Sequence, residues 1–175
     1  MKIETTAIPG VLALATDEMG DERGTFARLF CEQELGRAGV NFRVRQVNLS
    51  RNSLRGTLRG LHYQAEPRPE PKIVRCLKGA VWDVAVDLRR GSPTFCRWTG
   101  HVLNADNLAA LYIPPGCAHG FVTLADDCDL LYLMGEFYDP GLQRGVRWND
   151  PAFAIDWPLV PTVMAPRDAA YPDFA

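Results

Sequence analysis

The stretch Val81-Trp82-Asp83-Val84-Ala85-Val86-Asp87-Leu88 alternates with a period of two. Trp82, Val84, Val86 and Leu88 fall on one side of an extended chain; Val81, Asp83, Ala85 and Asp87 fall on the other. This is the pattern of a strand with one face on an apolar core. The opposite face carries two carboxylates and has two readings, solvent or the lining of a cavity. Ile73-Val74-Arg75-Cys76-Leu77 leads into it through Lys78-Gly79-Ala80, which reads as a hairpin.

More short strands follow at 97–102, 109–113, 120–123 and 129–134. Turn chemistry separates them: Gly91-Ser92-Pro93, Asn104-Ala105-Asp106-Asn107, Pro114-Pro115-Gly116 and Asp126-Asp127. Regular short strands of this kind predict an all-β sandwich or barrel. Helix is scarce; Glu32 to Ala38 suits two turns, stopped by Gly39. Ala65 to Pro71 reads as an exposed loop. From Trp157 onward the chain has four prolines and little periodicity, so an extended segment wrapping the domain is expected there.

The whole chain, 1–175, fits one domain. A net charge of -2 argues against a nucleic-acid footprint or a basic membrane patch. The N-terminus lacks the apolar run and cleavage site of a signal peptide. No apolar run is long enough to span a bilayer. These features predict a cytoplasmic protein. Five cysteines without a CxxC pair then read as reduced, mostly buried thiols.

Three histidines are present: His62, His101 and His119. His62 sits among Arg59, Tyr63 and Gln64, with Lys72 ten residues on. That concentrates a base, cations and proton donors in one stretch, as an anionic carbonyl substrate requires. Arg59 and His62 are three apart, so in a regular strand they would face opposite ways. Serving one pocket together requires a bulge, and Gly60 permits one. His101 has no such neighbours and reads as a surface or structural residue.

Several segments, taken in order, resemble the dTDP-4-dehydrorhamnose 3,5-epimerase family. They are Gly20-Asp21-Glu22-Arg23-Gly24, Leu58-Arg59-Gly60-Leu61-His62-Tyr63-Gln64, Asp83 to Arg89, Ser92-Pro93-Thr94-Phe95, Ile113 to Phe121, Trp148-Asn149-Asp150-Pro151 and Ile155-Asp156-Trp157-Pro158. The resemblance implies a cupin-like double-stranded β-helix, or jelly roll, with a few short helices. It implies epimerisation of a nucleotide-linked 4-keto-6-deoxyhexose at C3, C5 or both, with no cofactor. Protons beside the ketone are acidic because their removal gives an enolate. By resemblance His62 is the base, Asp168 orients it, Lys72 stands near the enolate oxygen and Tyr132 is the opposite-face acid. Singly, Lys72 reads as a solvated strand-start lysine, Tyr132 as a core aromatic and Asp168 as a turn residue; as a set they fit the family.

The resemblance also implies substrate contacts at Arg23, Gln46, Asn48, Arg59 and His119, with Asp83 paired to His119 and Tyr138 stacked on the base. Arg28, Gln143 and Arg167 stand where family members usually carry an acid, Glu and Lys, and Leu133 where some carry Lys. The first three line the nucleotide end by resemblance and leave the base open. Family members are generally homodimers with exchanged N-terminal strands, an exchange that can carry Arg23 or Phe26 into the second copy's site.

Other readings are a single-centre epimerase, a metal-dependent cupin and a non-catalytic sugar-nucleotide binder. Gln64 stands at i+2 from His62, where paired metal ligands would need His, and a His62, Gln64, Glu66, His119 set fits a facial triad poorly. The presence of all four of His62, Lys72, Tyr132 and Asp168 speaks against a mere binder.

Overall fold

Among the residues that the computed structural model describes, 1–174, the chain opens with β1 (Lys2–Thr5), β2 (Leu12–Ala15), β3 (Glu18–Asp21) and β4 (Gly24–Ala27). Helix α1 (Glu32–Arg37) follows, then β5 (Gln46–Asn52), β6 (Thr57–Gln64), β7 (Lys72–Lys78) and β8 (Ala80–Asp87). The rest is β9 (Trp98–Asn104), β10 (Ala110–Ile113), β11 (Cys117–Thr123), β12 (Cys128–Met134), β13 (Gln143–Gly145), β14 (Val163–Met164) and helix α2 (Pro166–Ala169). None of the described helices is long and apolar enough to cross a membrane.

Two sheets face each other as a jelly roll. The first runs β1-β2-β10-β7-β12-β5. The second runs β13-β6-β11-β8-β9, with β14 joining β6 in parallel. Strands β3 and β4 pair only with each other. Between the sheets lie Val74, Cys76, Leu111, Ile113 and Leu130 from one side, and Val81, Ala85, Leu103, Cys117 and Phe121 from the other. Leu35, Phe30 and Phe42 pack on the outer face of the first sheet. Val146, Phe153, Ile155, Trp157 and Phe174 cover the second.

Three expectations need correction. The segments 73–77 and 81–88 are not a hairpin, because β7 and β8 belong to different sheets. Gly79 alone joins them, with φ +75. Hairpin loops need at least two residues; a single one turns the chain across to the facing sheet. A Cβ on Gly79 would fall 2.6 Å from Cys128 Sγ, so this corner has no space for a side chain. The strand placed at 120–123 starts earlier, at Cys117, which brings His119 into the sheet. Finally, the Trp82, Val84 and Val86 face of β8 lies outward, under the C-terminal segment. The face with the carboxylates looks inward, and Asp83 and Asp87 are both fully buried.

A buried carboxylate requires partners. Asp87 accepts hydrogen bonds from Arg89 Nε (2.8 Å), the Arg89 N–H (3.0 Å), Thr94 Oγ1 (2.7 Å) and the Ser92 hydroxyl. Burial pushes its carboxyl up, but these bonds outweigh burial and hold it at about 2, against an ordinary 3.8. A depressed pKa adds stability above the unfolded-state value, and that stability is lost as pH falls through the folded-state value. The Asp87→Asn variant should therefore lose roughly 2 kcal/mol at neutral pH. Its deficit relative to the parent should shrink between about pH 4 and pH 2, measurable by urea titration across that range.

Candidate active site

A cavity of about 570 Å³ opens between the two sheets. The first sheet supplies Asn48 from β5, Lys72 from β7, and Tyr132 and Met134 from β12. The second supplies Arg59, His62 and Gln64 from β6, His119 from β11 and Gln143 from β13. Arg167 and Asp168 reach it from α2, and Tyr138 from the loop after β12.

Arg59 and His62 both line this space because β6 bulges. His62 stands opposite His119, but Arg59 stands opposite Phe121. The strand β6 thus spends three steps where β11 spends two, and the side chains change sides. Gly60 takes φ +128, and a Cβ there would fall 2.5 Å from Gly120 Cα. The bulge has a second effect: the freed Gly60 N–H donates to Asp168 Oδ2 at 3.1 Å.

The other oxygen of that carboxylate, Oδ1, lies 2.8 Å from His62 Nε2. Burial of Asp168 works against its ionisation. The hydrogen bond from His62 and the electrostatic pull of its ring, then the Gly60 N–H and the Arg167 charge, outweigh it and hold the carboxyl below its usual range. An ionised Asp168 accepts, so Nε2 carries a proton and the lone pair sits on Nδ1.

Lys72 is buried, and its Nζ lies 3.1 Å from Glu70 Oε1. Glu70 belongs to the segment 65–71, read as an exposed loop; its first part is exposed, but Glu70 is buried and lines the cavity. The signal for it was its i, i+2 spacing to Lys72, which puts both on one side of an extended chain.

Tyr132 has its ring edge-on to His119, with centroids 5.9 Å apart. Burial and then the Asp83 charge push its phenol far up, against a smaller opposite pull from Arg59. It keeps its proton at neutral pH. Among the described residues no hydrogen bond engages its hydroxyl, which leaves it available as a donor. His119 Nε2 lies 2.8 Å from Asp83 Oδ2, so Asp83 stands behind His119 and does not itself line the cavity.

At the other end, Gln143 Oε1 accepts from the Tyr138 hydroxyl (2.8 Å) and from Arg167 Nη1 (3.2 Å). Gln46 is outside the lining, and its Oε1 accepts from the Tyr138 N–H at 2.6 Å. Arg59 Nε donates to Asn52 at 2.7 Å. Gln64 has its amide fully used: Nε2 donates to the carbonyls of Arg68 and Phe137, and Oε1 accepts from the Asp139 N–H. It is occupied in joining two loops and is not free as a metal ligand. Arg23 and Arg28 lie apart from this cavity; Arg23 pairs with Asp21 at the β3–β4 turn, and Arg28 pairs with Glu34 at 2.9 Å.

Residues 5–175 match the family model described as dTDP-4-dehydrorhamnose 3,5-epimerase. A Shigella flexneri protein named dTDP-4-dehydrorhamnose 3,5-epimerase is 42% identical, over 96% of this chain and 93% of that one. The crystal structure of the Bacillus anthracis dTDP-4-dehydrorhamnose 3,5-epimerase, with TDP and pyrophosphate bound, superposes with a TM-score of 0.95 at 37% identity, covering 99% of both chains. A Legionella pneumophila epimerase in complex with dTDP-4-keto-L-rhamnose gives 0.92 at 40% identity, over 97% of this chain and 90% of that one.

Proposed function

As a member of the dTDP-4-dehydrorhamnose 3,5-epimerase family, this chain is a carbohydrate epimerase acting on a nucleotide-linked 4-keto-6-deoxyhexose, and we propose that His62, Asp168, Lys72 and Tyr132 carry its proton chemistry at both C3 and C5. One observation supports this reading above the others. His62 comes from the second sheet, while Lys72 and Tyr132 come from the first, and all three line one cavity. A sugar ring held between the sheets has a base on one face and an acid on the other, as inversion requires.

His62 Nδ1 removes the proton beside the ketone, and Asp168 stabilises the imidazolium that forms. Negative charge develops on the C4 oxygen, where the Lys72 ammonium lowers the barrier; one preorganised donor of this type contributes about 3 kcal/mol. Tyr132 then gives its proton to the opposite face of the carbon, and proton exchange with solvent restores the free base of His62 and the phenol of Tyr132 before the second centre reacts. Proton transfer between these side chains and the substrate carbon accounts for the inversion, with no step that calls for a metal or cofactor. At the nucleotide end, the guanidinium groups of Arg59 and Arg167 suit a diphosphate, and Tyr138 offers a ring to the base. Asn48 and His119 contact the sugar, the latter held by Asp83.

We also take the protein to be a homodimer. Met19 and Phe26 on the β3–β4 arm are 65% and 67% exposed, and Val47 and Leu49 on the edge strand β5 are 58% and 50% exposed. Apolar surface of this kind asks for a partner, and an exchanged arm would bring Arg23 to the second copy's cavity. Light scattering should report twice the chain mass.

The function is tested by incubating purified protein with dTDP-4-keto-6-deoxy-D-glucose and following the sugar protons by NMR. The expected product is inverted at both C3 and C5. Inversion at one carbon alone would contradict the two-centre reading, and no conversion would contradict the substrate.

A further inference from the structure

The C-terminal segment brings a second residue to His62 besides Asp168. Tyr171 lies three residues beyond the carboxylate, just past α2. Its ring meets the imidazole edge-on, with centroids 6.3 Å apart and planes at 71°. Tyr171 does not line the cavity, so this contact lies outside the space for substrate.

The seat for that ring is Gly145. It is the cross-strand neighbour of His62 in β13, and a Cβ there would fall 2.2 Å from Tyr171 Cζ. The ring therefore lies on bare backbone beside the imidazole. It is fixed from both sides along the chain. Before it comes α2, held by Asp168. After it, the Phe174 ring packs on Phe153 (5.1 Å) and Phe95 (6.0 Å). The Phe174 N–H donates to Asp150 Oδ2 at 2.6 Å, and Asp173 pairs with Arg147. Burial pushes the Tyr171 phenol up, so its hydroxyl is neutral. Among the described residues nothing hydrogen-bonds that hydroxyl; what Tyr171 offers His62 is its ring.

We propose that Tyr171 is a positioning residue for the epimerisation: its ring, seated on Gly145, fixes the plane of the His62 imidazole so that Nε2 stays on Asp168 while Nδ1 faces the cavity. The His62 side chain is 25% exposed, and the Asp168 bond alone leaves rotation about that bond open. Proton abstraction from carbon is sensitive to the direction of the lone pair, and small misplacements of a reacting group are costly. The proposal rests on the reading of His62 as the base.

The test compares Tyr171→Phe, Tyr171→Leu and Tyr171→Ala in the full chain, with His62→Ala alongside. Tyr171→Ala should lower kcat about 10- to 100-fold with KM within about twofold, since the ring acts on the base and not on the substrate. Deuterium wash-in beside the ketone should slow by the same factor. Tyr171→Phe keeps the ring and should stay within about threefold of wild type, whereas Tyr171→Leu fills the seat without a planar ring and should fall with Ala. The Leu variant decides the matter if Ala fails to fold. Wild-type kcat in either the Ala or the Leu variant would overturn the proposal. So would a Phe variant as slow as Ala, or a loss confined to KM. A His62→Ala variant that keeps full activity would instead refute the reading of His62 and is told apart by that control.

Discussion

His62→Ala should fold as the parent does and lose about 10³- to 10⁴-fold in kcat, the upper range of what a positioned general base contributes. The reason is local. His62 and His119 each line the cavity with a buried carboxylate behind Nε2, but the His62 side chain is 25% exposed and the His119 side chain only 5%. The second imidazole, His119, is tied by Nε2 to the fully buried Asp83 and shares its other surroundings with the Tyr132 ring. Substrate affinity should change little, because the nucleotide contacts proposed above fall to other lining residues, Tyr138, Gln143, Arg167 and Arg59. A large rise in KM with kcat retained would mean that His62 binds substrate and leaves the chemistry to another group.

Tyr132→Phe should separate the two halves of the reaction. Proton removal needs His62, Asp168 and Lys72, all still in place, so exchange beside the ketone should continue within about an order of magnitude. Delivery to the opposite face needs the Tyr132 hydroxyl, so inversion should drop about 100-fold. The high phenol pKa gives this its sign: Tyr132 is protonated across the physiological range and acts as donor. Equal loss of exchange and inversion would count against the division of labour; unchanged inversion would remove Tyr132 from the acid role.

Much of this was legible in the sequence, and the gaps have physical causes. The period-two pattern of 81–88 gives a strand, but alternation cannot tell which face looks inward when both are covered. The Trp82, Val84 and Val86 face is buried by residues that lie some 60 to 90 positions later, and no local pattern reports that. The supposed hairpin at Gly79 failed because a corner and a hairpin share the same punctuation; only the space around Cys128 distinguishes them. The bulge at Gly60 is legible only as a condition, since Arg59 and His62 have opposite parity and share a pocket only if the strand bulges between them. Glu70 was missed because the prolines on either side of it read as loop, and its burial follows from its partner Lys72. Tyr171 was missed because its contact is with Gly145, and a glycine offers no side-chain signal for the ring that covers it.

Whether His62 is the base is read directly from deuterium incorporation. Wild-type protein and His62→Ala, each incubated with dTDP-4-keto-6-deoxy-D-glucose in deuterated buffer, would be followed by NMR at the carbons flanking the ketone. The expected result is deuterium at C3 and C5 with the wild type and none above the uncatalysed background with His62→Ala. Wash-in by His62→Ala at the wild-type rate would contradict the assignment of His62 as the base.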